Sequence, residues 1–154
     1  MLYPILLPLH NILRWVVLIA ALFAIYRAFA GWLGKKDWTS TDDKAGMWFT
    51  MLMDIQVLVG LILYIFLSPI TQSAFQNFGG AMSNAVARFF AVEHILLMIV
   101  AAAAAHMGRA FSRKASGSQS KHKRAAIWFV LALLLVLVAI PWPFSAAARA
   151  LFPF

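Results

Sequence analysis

The sequence predicts an all-α integral membrane protein, a four-helix transmembrane bundle with antiparallel neighbours and both termini periplasmic. Three observations carry this reading. Hydrophobic residues make up 64% of the 154 and charged residues 12%, at a mean hydropathy of +0.85, where water-soluble domains carry roughly 25% charged residues. The apolar residues fall into four stretches, each able to cross a bilayer core of about 30 Å, which takes roughly 20 helical residues. The basic residues gather beside those stretches, mainly on one side.

The first stretch runs over about 5–33. It opens MLYPILLPLHN, with no basic leader and no small-residue cleavage site, so it reads as a retained helix and not a signal peptide. The second runs over about 46–67, closed by Ser68-Pro69. It follows a polar linker in which Ser40 or Thr41 suits a helix N-cap ahead of Asp42 and Asp43. The third runs over about 85–108, after an uncharged polar loop (68–84) whose Phe75 and Phe78 suit a membrane surface. The fourth runs over about 125–140 and stops at Pro141-Trp142-Pro143. The basic Ser/Gly-rich segment 109–124 reads as a mobile loop, with His122 solvated in it, and the tail from Pro141 as a short interfacial piece. Helices are required because a lipid-exposed backbone must satisfy its own hydrogen bonds. No repeat and no soluble domain interrupts the single transmembrane domain 1–154.

The net charge of +8 reports topology and not nucleic-acid binding. Arg27, Lys35, Lys36, Lys44, Arg109, Arg113, Lys114, Lys121, Lys123 and Arg124 flank the first and third loops, and only Arg14, Arg88 and Arg149 fall on the other side. Positive residues stay inside, which places the basic loops in the cytoplasm and the protein in a bacterial inner membrane. Trp32, Trp38, Trp48 and Trp128 then mark the inner interface and Trp142 the outer one. The absence of cysteine excludes disulfides, iron–sulfur clusters and covalent haem attachment through CxxCH. No P-loop, GxGxxG, HExxH or GxSxG motif occurs.

Ionisable groups inside a bilayer cost a few kcal/mol each and are functional candidates by default. His10 and Arg14 fall in the outer half of the first helix; Arg88, Glu93 and His94 in the outer half of the third; Asp54 and Gln56 in the inner half of the second; His106 at the inner end of the third. Two imidazoles at similar depth, His10 and His94, suit the axial ligation of one b-type haem. Arg14 and Glu93 are candidates to pair beside them, and Arg88 to meet the propionates. His106 follows His94 by twelve residues, about 18 Å along a helix, so one haem cannot use both. A second, inner haem has no usual ligand opposite His106. Asp54 is placed to hydrogen-bond His106 or Tyr64, or to serve a quinone or proton site. Other readings stand beside these. A lone intramembrane histidine is equally a hydrogen-bonding core residue. Arg14 with Glu93 reads also as a packing ion pair, the alanines 101–105 as close helix packing, and His10, Glu93 and His94 as a two-histidine, one-carboxylate iron or copper set.

HNILRWVVL (10–18), DIQVLVGLILY (54–64), RFFAVEHILLMI (88–99), AHMGR (105–109), KHKRA (121–125) and IPWPF (140–144) together resemble a family of small bacterial four-helix membrane proteins of the cytochrome b-like kind, over nearly the whole chain. The resemblance implies a haem-binding electron carrier or a subunit of a membrane redox complex, with quinol, a periplasmic cytochrome or partner subunits as electron partners. In that family the position of Asp54 is often histidine, and this departure removes a candidate inner ligand opposite His106. The expected function is electron transfer through one haem b. The alternatives are a haem-free structural subunit of a larger complex, or a small transporter or quinone-modifying enzyme working around Asp54 and His106.

Overall fold

The structure is a computed structural model that describes residues 2–152. Those residues form helices and connections, with no strand among them. Four helices are long and apolar enough to cross a membrane, as expected: a first span Tyr3–Leu33, a second Ser40–Leu67, a third Ala85–Lys114 and a fourth Ser118–Ala139. Each packs on the next, and the first also packs on the fourth, closing a ring around one core.

That core is built from small residues. Ala21, Ala24 and Ala28 on the first span, Ala101, Ala104 and Ala105 on the third, and Ala125, Ala132 and Ala139 on the fourth are buried at helical spacing. Lipid tails are as apolar as leucine, so helices associate in a bilayer through close packing, which small side chains permit. Gly108 shows how close this packing is: a Cβ there would stand 2.8 Å from the Phe129 ring. Phe129 in turn meets Phe49 edge-on at 5.4 Å. The alanine run 101–105 is therefore a packing seam.

The spans outlast their apolar stretches at the basic end. The second begins at Ser40, where Thr39, one residue before the expected caps, forms a capping box with Asp42. The third continues to Lys114 and the fourth starts at Ser118, so the expected mobile loop 109–124 reduces to a turn at residues 115–117 with Gly117 at φ +79°. A charged helix end needs no apolar sequence once it has left the hydrocarbon, and Arg113 and Lys114 suit the negative end of the helix dipole. Hydropathy marks the lipid-embedded part of a helix and misses these extensions.

At the opposite end the loop 68–84 folds into two short helices, Pro69–Gln76 and Phe78–Ser83, capped by Ser68 and Asn77. Two π-helical segments, Leu63–Leu67 and Phe89–Glu93, face this loop. In the first, the widened turn would direct the Tyr64 carbonyl to residue 69, a proline with no N–H; Thr71 Oγ1 donates to it instead at 2.7 Å. The Tyr64 hydroxyl donates to the Ala91 carbonyl within the second segment at 2.7 Å. The tail folds back over this end. Arg149 N–H reaches the Pro141 carbonyl at 3.2 Å, and the Leu151 carbonyl accepts from both Arg14 and Trp15.

Candidate functional site

A cleft opens at the end of the bundle where the start of the first span meets the tail from Pro141. It encloses about 830 Å³ counting its open mouth, of which about 90 Å³ is deep enough to hold the centre of a water molecule. A smaller recess of about 310 Å³ reaches the same centre between Val57 and Ile95. Both hollows are lined by His10, from the first span, and His94, from the third.

The π segment Phe89–Glu93 runs directly into His94 and sets its direction. His94 Nδ1 donates to the Ala139 carbonyl at 2.7 Å. That carbonyl is free because Pro143, four residues on, has no N–H to close a helical bond. The bond settles the tautomer: Nδ1 carries the proton and Nε2 presents a lone pair. His10 is held from the second span, where the Gln56 amide nitrogen lies 3.2 Å from His10 Nε2 and donates to the His10 carbonyl at 3.1 Å. An amide NH₂ only donates, so His10 Nε2 also bears a lone pair, while its Nδ1 is buried without a partner. The two rings stand 6.3 Å apart, centre to centre, at 69°. Gly60 makes room for His10: a Cβ there would meet the ring carbon Cε1 at 3.1 Å.

Among the described residues, Arg14 and Arg149 line the cleft and no carboxylate does. Arg14 is buried, donates to the Leu151 carbonyl, and leaves its Nε without a partner. Arg149 lies over the Phe90 ring at 4.8 Å. Among the described residues Arg14 meets the Leu151 carbonyl and the Trp15 ring, at 5.6 Å, and no carboxylate, so its buried charge is undercompensated. The cleft thus holds His94 with Nε2 open, His10 with Nε2 engaged by Gln56, two guanidinium groups and largely apolar walls.

The structure brings His10, His94 and Arg14 together and places the other expected residues elsewhere. Glu93 does not pair with Arg14. Its partner is Arg88, at 2.8 Å, and both side chains are nearly half exposed outside the cleft. The reason is helical geometry: Glu93 directly precedes His94, so when the imidazole faces inward the carboxylate is turned aside. Arg88 also donates to the Met82 carbonyl and does not line the cleft; the second cation there is Arg149. Among the described residues no three His, Cys, Asp or Glu side chains gather as a metal site, so the two-histidine, one-carboxylate arrangement does not form. Asp54 and Gln56 part company, since residues two apart on a helix face away from each other. Gln56 turns to His10, and Asp54 accepts from His106 Nε2 at 2.7 Å. His122, expected in solvent, is 1% exposed on the fourth span, packed on Trp38 and against Gly31, where a Cβ would stand 2.1 Å from its ring. The helical extension of the fourth span carries it inward.

Sequence reasoning missed Arg149, Gly60 and the carbonyl of Ala139, and it placed Gln56 in the inner half, away from His10, which the Gln56 amide in fact reaches. The Pro-Trp-Pro signal locates the free carbonyl, and Gln56 carries the same mark as Asp54, a polar side chain inside a span. Nothing local in the tail marks Arg149. Comparison with known protein families, characterised proteins and solved structures found no match to this chain.

Proposed function

We propose that this protein is a b-type cytochrome-like electron carrier or redox-complex subunit of a bacterial inner membrane, binding one haem in the cleft between His10 and His94. The single observation that carries the reading is the pair of imidazoles, 6.3 Å apart between ring centres, in a hollow lined by two arginines and, among the described residues, by no carboxylate. His10 and His94 would hold the iron, and their ring centres stand 6.3 Å apart. His94 would bind through Nε2, because its Nδ1–H is fixed on a backbone carbonyl. His10 matches once the Gln56 amide releases Nε2, and the Gln56 bond to the His10 carbonyl still holds the ring in place. Arg14 and Arg149 would neutralise the two propionates. The deep space of about 90 Å³ is smaller than a macrocycle, so binding parts the walls toward the open mouth.

Haem when bound supplies one-electron chemistry. The chain holds two neutral ligands, supplies compensating positive charge and shields the site with Phe89 and Phe90, whose rings lie 5.8 and 6.2 Å from His94. In this reading neighbouring spans are antiparallel, both termini are periplasmic, and the cleft faces the outer half of the bilayer, within reach of quinol, a periplasmic cytochrome or a partner subunit. Asp54, which stands opposite His106, is not a usual haem ligand, so the reading stops at one haem. One observation favours a haem-free structural subunit: each imidazole already has a protein partner, as a packed scaffold requires.

Reduced-minus-oxidised spectra of protein purified after expression with ample haem separate the two. A b-type difference spectrum at one haem per chain is expected, lost in His94→Ala and His10→Ala and kept in His106→Ala. A colourless wild-type protein gives the scaffold reading.

A further inference from the structure

The Asp54–His106 pair lies outside the cleft, on the outer face between the second and third spans. We propose that it is a headgroup site for a membrane-dissolved quinol or quinone. His106 Nε2 and Asp54 Oδ1 are 2.7 Å apart, and the side chains remain 50% and 55% exposed. Both residues lie on helices long and apolar enough to cross a membrane, and the surface around the pair is apolar, with Met51, Ile55, Leu58 and Met107 all exposed. A compound dissolved in the bilayer can reach such a pair, and the apolar surround suits a neutral headgroup on a long apolar tail.

The hydrogen-bond inventory narrows the class. With Asp54 accepting from Nε2–H, the pair keeps the His106 Nδ1 and the second Asp54 oxygen for a ligand. Neither has a further partner among the described residues. Two acceptors side by side suit a hydroxyl donor. An imidazole Nδ1 serves as acceptor or as donor, so the pair can meet the hydroxyl of a quinol and the carbonyl of a quinone, whereas a sterol or a simple long-chain alcohol offers only the hydroxyl. His106 is twelve residues from His94 along the third span, so the two sites are separate. The proposal concerns binding alone and stands whether or not the cleft holds haem.

The test uses the full-length protein in lipid nanodiscs with a photoreactive azido-ubiquinone as probe, and unlabelled short-chain ubiquinone, menaquinone and farnesol as competitors. Labelling is expected on residues 51–58 and 103–107. Either quinone should suppress it and farnesol should not, and Asp54→Asn and His106→Gln should reduce it at least 10-fold while His94→Ala leaves it unchanged. Both substitutions preserve size, and an unchanged elution profile and helical circular dichroism certify the fold. Labelling spread along all lipid-facing positions, labelling indifferent to the two substitutions, or equal competition by farnesol overturns the proposal. So does a wild-type protein that resists labelling because this face is covered by a second copy.

Discussion

At the residue scale, Arg14 separates stability from ligand binding. Its charge is buried against a carbonyl, and on insertion scales such a residue costs roughly 3 kcal/mol. Arg14→Gln keeps an N–H donor for the Leu151 carbonyl and removes the charge. The thermal midpoint of the haem-free protein should hold or rise, while haem retention falls about 10-fold, the worth of one charge-assisted bond. Parallel melting and haem-transfer measurements check this, and a parallel loss of both would make Arg14 a packing residue. Gly31 makes a second residue-scale case. A Cβ there would fall about 2 Å from the ring atoms of His122. Gly31→Ala should lower stability by about 1–3 kcal/mol, the usual cost of overpacking, read as a lower melting temperature in detergent. His122→Ala in the same chain should recover part of the loss. The proximity of positions 31 and 122 is invisible in the sequence, where ninety residues separate them; the basic neighbours of His122 pointed to solvent instead.

At the element scale, the helix starts are decided by short polar signals. Thr39 Oγ1 lies 2.6 Å from Asp42 Oδ2, Thr39 N–H donates to the same oxygen, and Arg27 of the first span closes on Asp42 Oδ1 at 2.8 Å. Thr39→Ala should cost about 0.5–2 kcal/mol, the range for a lost N-cap, and Asp42→Ala more, because it also frees Arg27. Unfolding in a detergent–denaturant series should rank them in that order. Hydropathy located all four spans, since twenty apolar residues have few other uses. It set the basic ends too short, because those turns lie beyond the lipid and their helicity depends on caps and on packing against a neighbour. The π segments also escaped it: they arise where Pro69 and the side chains of Thr71 and Tyr64 settle carbonyl partners across elements.

At the scale of the whole molecule, topology is open to direct measurement. The chain has no cysteine, so single-cysteine variants report without background. A cysteine at Ser116 should react with a membrane-impermeant maleimide only in inverted vesicles, and one at Gln76 only in intact spheroplasts. The opposite pattern would put the two-histidine cleft on the cytoplasmic side and exclude a periplasmic cytochrome as its electron partner.

Composition and the run of apolar residues determined by themselves that four helices suited to a bilayer form, and His10, His94 and Arg14 stood out because polar groups in such helices are expensive. The partners of those groups were decided only by the folded ring of spans. Whether Glu93 meets Arg14 or Arg88, and whether Asp54 or Gln56 turns inward, depends on how each helix is rotated about its axis. That rotation is set by small-residue packing and by the free carbonyls at π turns and prolines, which one stretch of sequence cannot express.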